Sequence, residues 1–313
     1  MSNRDTETIR RWTQALWRWW GCQQGATLVY FALILPMLLS MAGLAIDGSN
    51  LYSQFWQMQM AADNAALAGA RVVALGQNSA QVASKVQSLA LANNATAVTW
   101  SYLAGNTGVT VTTTKTIAPY FAGVMGFDRL SVRATAAARF GTPASADNLL
   151  PMTIMCDDMS NDPDAGFTYG ATYTFWNNDM TQPGNFGWVD WNGPPVGNSE
   201  LAAAMANPGN SGVWHVNDWL PAGPGVQGTS AVQQALNNWL NKTVTIPLYS
   251  VVTGTGSSTR YKICTFAEFI LTSYNFSGTP KWIKGTFVRT LRRGGDIGGN
   301  APDFGVQSVR LTR

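Results

Sequence analysis

The sequence predicts an α+β fold, in which a long N-terminal transmembrane helix continues into a small α+β module and a mostly β C-terminal domain follows. Three observations lead to this prediction. An apolar run without charge occupies residues 26–46, and a helical stripe of apolar side chains continues beyond it. From residue 98 onward, short runs of β-forming residues alternate with loops rich in Gly, Pro and Asn.

Residues 26–46 are interpreted as a permanent membrane anchor. A helix of this length spans roughly 31 Å, which matches a hydrocarbon core of about 30 Å. The apolar region of a signal peptide is usually shorter, at about 7–15 residues. A buried helix of a soluble protein is the alternative, and it seldom carries so long a run. The lipid bilayer is therefore the first expected partner, and the anchor includes Ala26, Phe31, Pro36, Gly43 and Ile46.

Basic residues flank the anchor on one side only. Four arginines lie between residues 4 and 18, whereas the first basic residue after the anchor is Arg71. The positive-inside rule then makes residues 1–25 a cytoplasmic stub and places the chain after Asp47 outside the cytoplasm. We therefore expect a single-pass protein with an exported C-terminal part.

Beyond the anchor, apolar and small side chains recur at alternating steps of four and three residues, which marks one face of a helix. The distal half of this face consists of Ala and Gly, so a neighbouring element can approach it closely. We expect the face to pack on the attached module. Its residues are Leu51, Phe55, Met58, Ala62, Ala65, Gly69 and Val72.

A resemblance to a known family lies in residues 25–72, GATLVYFALILPMLLSMAGLAIDGSNLYSQFWQMQMAADNAALAGARV. This segment resembles the N-terminal part of the Tad (tight adherence) pilus-assembly proteins, the TadE/TadG-like group. The stretch PYFAGVMGFDRLSVRATAAARF, residues 119–140, is similar to a turn and strand of the same family. The stretches NLLPMTI, PGNFGWVDW and DFGVQSVRLTR are similar to the distal half of many such proteins, so the resemblance covers most of the chain, strongly at 25–75 and more loosely beyond. The resemblance implies a pilin-like helix, a place in the bacterial cytoplasmic (inner) membrane with a periplasmic or extracellular C-terminal domain, and other pilus-assembly or secretion proteins as partners.

One position departs from the pattern of pilin precursors that a prepilin peptidase cuts. Those precursors carry Glu five residues after the Gly of the cleavage site. With Gly25 in that place, the fifth residue is Tyr30. We therefore expect the chain to keep its first 25 residues.

The exported part is predicted to divide at the turn-forming stretch GTPASADN, residues 141–148. Before it, residues 47–140 form a pilin-like α+β module that contains the long helix, a second helix at 80–92, a hairpin, a helical turn and a strand. After it, residues 149–313 form a mostly β exported domain. Its strands are TVTIPLYSVV, RYKICTFAEFILTSYNF, WIKGTFVRTL and GVQSVRLT, and its helix is SAVQQALNNWLN.

Composition and motifs argue against two classes of function. The net charge of +3 is small and scattered, and no RNP-like sequence or basic helical arm is present, so we expect no nucleic-acid partner. The single His, His215, has no Gly-x-Ser-x-Gly elbow and no second His beside it. No P-loop is present. We therefore predict a protein that is not an enzyme and needs no cofactor, and an envelope hydrolase lacks a visible site.

An acidic stretch, CDDMSNDPDAG, is a candidate Ca²⁺ site because closely spaced oxygen ligands suit this ion. The spacing is not that of an EF-hand loop. Asp residues in a stretch with Pro and Gly also serve as ordinary turn residues, which is the competing interpretation. The candidate ligands are Asp157, Asp158, Asp162 and Asp164.

Two of the three cysteines are expected to form a disulfide. Cys156 and Cys264 both lie beyond the anchor, in a compartment where disulfides persist, whereas Cys22 lies before it. Only one pairing is then available outside the cytoplasm. The alternative is a pair of separately buried free thiols.

Seven of the Trp residues lie beyond residue 170, in stretches such as FGWVDW and VWHVNDWL. This composition suits either the bulky core of a β domain, which we favour, or a sugar-binding platform. Two functional hypotheses follow. The first is a non-catalytic, membrane-anchored component of a Tad-type pilus-assembly or surface-attachment system that acts by protein–protein interaction. The alternative is an exported, adhesin-like domain that binds glycan through Trp-rich loops.

Overall fold

The computed structural model describes residues 24–156, 169–175, 187–193, 197–223, 228–277, 281–292, 296–298, 301 and 303–312. A 51-residue helix lies beside a five-stranded sheet, and a six-stranded sheet follows along the chain. The predicted α+β fold class is confirmed. The helices are α1 (Gln24–Ala74), α2 (Ser79–Ala92), α3 (Asn198–Ala206) and α4 (Ser230–Asn237). The strands are β1 (Ala97–Tyr102), β2 (Gly108–Ile117), β3 (Leu130–Gly141), β4 (Ser145–Ala146), β5 (Ile154–Met155), β6 (Thr172–Phe175), β7 (Trp214–His215), β8 (Trp219–Pro221), β9 (Thr243–Thr253), β10 (Arg260–Asn275), β11 (Trp282–Val288), β12 (Thr290–Arg292) and β13 (Val306–Thr312).

Helix α1 joins the apolar run and the Ala-rich stripe in one element. Its most apolar window has a mean hydropathy of 2.2, and only 6% of that window is buried in the protein. A core helix of a soluble domain would be mostly buried. Within the described part of the chain, α1 is the one helix long and apolar enough to cross a membrane, which is compatible with a single-pass membrane protein.

The first sheet packs on the distal half of α1 and has the strand order β1-β2-β3-β13-β12. Strands β1 and β2 form the predicted hairpin, with Gly105 and Asn106 in the turn at φ values of 69° and 55°. Strand β3 pairs antiparallel with β2 along its length. Helix α2 begins at a capping box, in which Asn78 and Gln81 each accept the other's backbone N–H at 3.0 Å.

Strand β13 differs from the predicted division into 47–140 and 149–313. It lies in the first sheet, antiparallel to β3 from Ser308 opposite Gly141 to Thr312 opposite Ala137. The alternation in GVQSVRLT predicts a strand, but a strand's own sequence does not specify which sheet edge it will meet. The chain therefore returns to the first sheet after building the second sheet.

The second sheet has the order β5-β9-β10-β11-β6, with β8 also paired to β10. The long strands β9 and β10 form its centre, and Phe269 and Phe287 pack with their ring centroids 5.4 Å apart. Helices α3 and α4 contact each other beside this core. Helix α3 was not predicted from the sequence, because its nine residues bury only Leu201 and Met205 and give little periodic signal.

Candidate functional site

The stretch of α1 from residue 27 to residue 46, called the bare stretch below, is largely uncovered by the described part of the chain. From residue 27 to residue 46 its large apolar side chains are exposed, including those of Phe31 and Ile46. Pro36 lies inside the helix, and the Ser40 hydroxyl donates to the Pro36 carbonyl at 2.7 Å. The side chain of Ala26 is not among those described. An exposed apolar stretch of this length requires lipid or other apolar helices around it.

Asp47 ends the bare stretch and is itself buried, although it is a carboxylate. Its two oxygens accept three consecutive backbone N–H groups from the turn after β2. The Tyr120 and Ala122 N–H groups donate at 2.7 Å and that of Phe121 at 3.0 Å. A carboxylate is acceptor-only and can satisfy several donors at once, so Asp47 fixes this turn against the helix.

Gly43 lies one helical turn before Asp47 and is buried beneath the same turn. A Cβ atom at Gly43 would lie 2.7 Å from the Phe121 Cβ and 2.8 Å from its Cγ. Only a glycine permits the Phe121 side chain to rest on the helix at this distance. Gly43 is therefore a docking point for the turn as well as part of the predicted anchor.

We predict that Asp47→Asn will release the turn at residues 120–122. In Asn, an NH₂ group replaces one of the two carboxylate oxygens and would face the backbone N–H groups of the turn. The remaining oxygen could not accept all three donors. Hydrogen exchange followed by mass spectrometry on the full chain should show faster exchange in the peptide that contains Tyr120. Asp63→Asn is the matched control, since the Asn oxygen can still accept the Gln59 side-chain N–H that Asp63 now accepts at 2.9 Å. Equal exchange in the two variants would show that Asp47 does not hold this turn.

Beyond Asp47, α1 packs on the first sheet through small side chains. Met58, Ala62 and Ala65 are fully buried, and the buried Thr113 hydroxyl donates to the Met58 carbonyl at 2.8 Å. Gly69 lies between α2 and β2. The structure thus uses the Ala- and Gly-rich half of the stripe as the sequence suggested, because small residues let a helix approach a sheet closely.

Phe55 differs from the prediction. It is 39% exposed and its ring meets that of Trp56 at 6.2 Å, whereas Gln54 lies closer to the protein. The residues of α1 that face the rest of the protein include Gly43, Asp47, Gln54 and Met58. A step of four residues before Met58 selects Gln54, so Phe55 falls about 100° around the helix from it.

We predict that Gly69→Leu will destabilise the first module. A Cβ atom there would lie 2.8 Å from the Val86 Cγ2 and 2.9 Å from the Val109 Cγ2. Overpacking of this kind costs about 1–3 kcal/mol. Gly48→Leu is the control in the same helix, since a Cβ at Gly48 meets nothing within 4 Å. Thermal unfolding followed by far-UV circular dichroism should show a lower midpoint for Gly69→Leu alone, and matching midpoints would contradict this packing.

The structure joins Cys156 and Cys264 in a disulfide, with their Cα atoms 7.0 Å apart. Cys156 follows β5 and Cys264 lies in β10, and both contact the core of the second sheet. The bond closes a loop across 108 positions of sequence. The candidate Ca²⁺ ligands Asp157, Asp158, Asp162 and Asp164 lie outside the described residues. Within the described residues, no group of three or more His, Cys, Asp or Glu side chains could hold a metal ion.

The described Trp side chains beyond residue 170 are mainly used for packing. Trp188 is fully buried, Trp191 meets Trp214 at 5.9 Å, and the Trp239 indole donates to the Met205 carbonyl at 2.8 Å. Trp219 is the exposed member of this described set. The arrangement supports the core interpretation, and glycan binding stays a prediction of the alternative hypothesis.

Two further polar groups lie among these Trp residues. His215 is exposed, and its Nδ1 lies 3.4 Å from an oxygen of Asp218. Asp190 is buried, and one of its oxygens accepts the Asn192 N–H at 3.2 Å. Burial raises the pKa of Asp190, and the negative charge of Glu200 raises it further.

Asp47 is the functional residue that sequence reasoning placed only as the end of the apolar run. The signal was present in two parts, since PYFAGVMG predicts a helical turn and a helical turn has free N–H groups at its start. Nothing in the sequence, however, states that a carboxylate some seventy positions earlier would cap that turn.

Residues 25–72 match a family model described as putative Flp pilus-assembly TadE/G-like. The matched residues coincide with nearly all of α1, including the bare stretch, Asp47 and the packing stripe. No curated protein and no solved structure matches the chain.

Proposed function

We propose, from the match of residues 25–72 to the putative Flp pilus-assembly TadE/G-like model, that this chain is a non-catalytic, single-pass component of a Tad-type pilus-assembly system. It acts by binding other proteins of that system. The observation that carries the proposal is the division of α1 into two halves. The first half is exposed and apolar, whereas the second half packs by one face on the first sheet of the same chain.

Three polar side chains of the matched segment make structural contacts. Asp47 caps a turn, Asp63 accepts from Gln59, and Gln57 accepts from Lys115 at 3.5 Å. A segment used in this way supports a protein that holds a position in an assembly.

An exposed aromatic cluster on α1 is suited to a protein partner. Tyr52 and Trp56 are exposed and their rings meet edge-to-face at 6.1 Å, and Phe55 and Met60 are also exposed beside them. Aromatic and Met side chains are enriched in the cores of protein interfaces. The cluster lies on the helix just beyond the bare stretch, where other membrane-anchored components would be within reach.

The bilayer orientation of the proposal is N-terminus in the cytoplasm and both sheets outside. All basic residues near the bare stretch precede it, which supports this orientation under the positive-inside rule. A reporter that is active only outside the cytoplasm should work when fused after residue 145. A reporter active only in the cytoplasm should be silent there, and its activity would reverse the orientation.

Purification of the full chain from native membranes tests the proposed function. A tagged chain is solubilised in mild detergent and its companions are identified by mass spectrometry. We expect enrichment of other Tad pilus-assembly components, including the ATPase that must supply the energy for assembly.

A matched pair of variants makes this test specific. Tyr52→Ala/Trp56→Ala should lose these companions, whereas Gln87→Ala/Ser88→Ala, a pair of exposed positions on α2, should keep them. Recovery of the chain without any pilus-assembly component would overturn the proposal.

A further inference from the structure

We infer that the turn at residues 119–127, PYFAGVMGF, is a second membrane contact that inserts its apolar tip into the leaflet nearest the module. The inference rests on the proposed function in one respect, since it takes residues 26–46 of α1 to span the bilayer. The occupant of this surface is lipid, not another protein.

Depth is the first argument. The Phe121 side chain rests on Gly43, and Gly43 lies three residues inside the end of the apolar run, or about 4.5 Å below it. A residue that touches a membrane-spanning helix below its apolar boundary lies at hydrocarbon depth itself. Asp47 then holds the backbone of the turn at that boundary through its three N–H bonds.

Exposed apolar surface is the second argument. Val124 is 92% exposed and Met125 is 75% exposed, and Tyr120, Phe121 and Phe127 are exposed beside them. The turn itself carries no charge, while the exposed Asp128 and Arg129 follow it at once. Such a patch is costly in water, and an apolar tip followed by charged residues suits the boundary between acyl chains and headgroups.

Satisfied backbone is the third argument, because unpaired N–H groups are expensive in hydrocarbon. The N–H groups of residues 120–122 donate to Asp47. Val124 donates to the Phe121 carbonyl at 3.0 Å, Gly126 to that of Gly123 at 3.1 Å, and Phe127 to that of Ala122 at 3.1 Å. Gly126 permits this closure with a φ of 90°. The turn therefore enters lipid with these donors already paired.

Depth-dependent quenching on the full chain in proteoliposomes tests the inference. The Cys22→Ser substitution removes the one cysteine outside the disulfide, and Cys156 and Cys264 do not react because they are bonded to each other. One environment-sensitive fluorophore is then attached at Val124→Cys. Leu38→Cys in the span and Gln87→Cys on α2 are the reference positions. All three side chains are exposed, so the label does not disturb packing.

We expect a nitroxide near the top of the lipid acyl chain to remove most of the Val124→Cys fluorescence, while aqueous iodide removes little of it. Gln87→Cys should show the reverse. If Val124→Cys behaves like Gln87→Cys while lipid nitroxide still quenches Leu38→Cys, α1 spans the bilayer but the turn does not enter it, and this inference is wrong. Protection of Val124→Cys from both quenchers would mean a protein contact and would also overturn it. Loss of lipid quenching at Leu38→Cys would contradict the anchor and the inference together.

Discussion

A chain that ends at residue 302 is expected to lose the cooperative unfolding of the module that α1 forms with the first sheet. The truncation removes β13, which pairs with β3 and with β12. It also removes Val306, which is fully buried, and Phe304, which packs in the core of the second sheet. Each such side chain contributes about 1.5–3 kcal/mol through burial alone. The loss of stability therefore affects both sheets, and it is the largest that we predict.

Denaturant unfolding of the full and shortened chains in the same detergent, followed by circular dichroism, measures this effect. Arg310→Ala is the control within the strand, since its ion pair with Asp296 is exposed and such pairs contribute about 0–1 kcal/mol. The control should keep the midpoint of the full chain. A shortened chain with an unchanged transition would show that residues 47–140 fold without β13, as the sequence division alone suggested.

Cys156→Ala/Cys264→Ala should produce the second largest effect. Closing a loop of about 100 residues stabilises a folded domain by at most about 4.7 kcal/mol in the chain-entropy model, and measured values are often smaller. The sequence separation of 108 places this disulfide in that range. Denaturant unfolding is monitored by tryptophan fluorescence. We expect a clearly lower midpoint for the double variant and for the wild-type chain after reduction.

A chemical assay checks the bond itself. The full chain is unfolded without reductant and treated with iodoacetamide, and its peptides are mapped by mass spectrometry. Neither Cys156 nor Cys264 should be alkylated, whereas Cys22 serves as the reactive internal control. Alkylation of both would show two free thiols, and the midpoint difference would then need another cause.

Much of the fold follows from the sequence where a pattern is long and local. The apolar run and the Ala-rich stripe predict α1, and the runs around Gly105 predict the β1–β2 hairpin. The pattern fails where the third dimension decides. Whether Gln54 or Phe55 faces the protein depends on where the sheet lies, and the return of β13 depends on which edge of β3 is free.

The candidate site shows the same limit. Alternating steps of three and four residues identify Met58, Ala62 and Ala65 as packing residues, because helical periodicity is a local property. The clamp of Asp47 on residues 120–122 joins two segments far apart in sequence, and no local pattern encodes it.

Pilus assembly in a strain that lacks this chain is the most direct test of the central claim. Surface pili are counted by electron microscopy in the null strain, in the strain that regains the full chain, and in a strain that exports residues 48–313 behind a cleavable signal. We expect no pili in the null strain, normal pili with the full chain, and none with the unanchored chain. Normal pili in the null strain would show that this chain is not needed for pilus assembly.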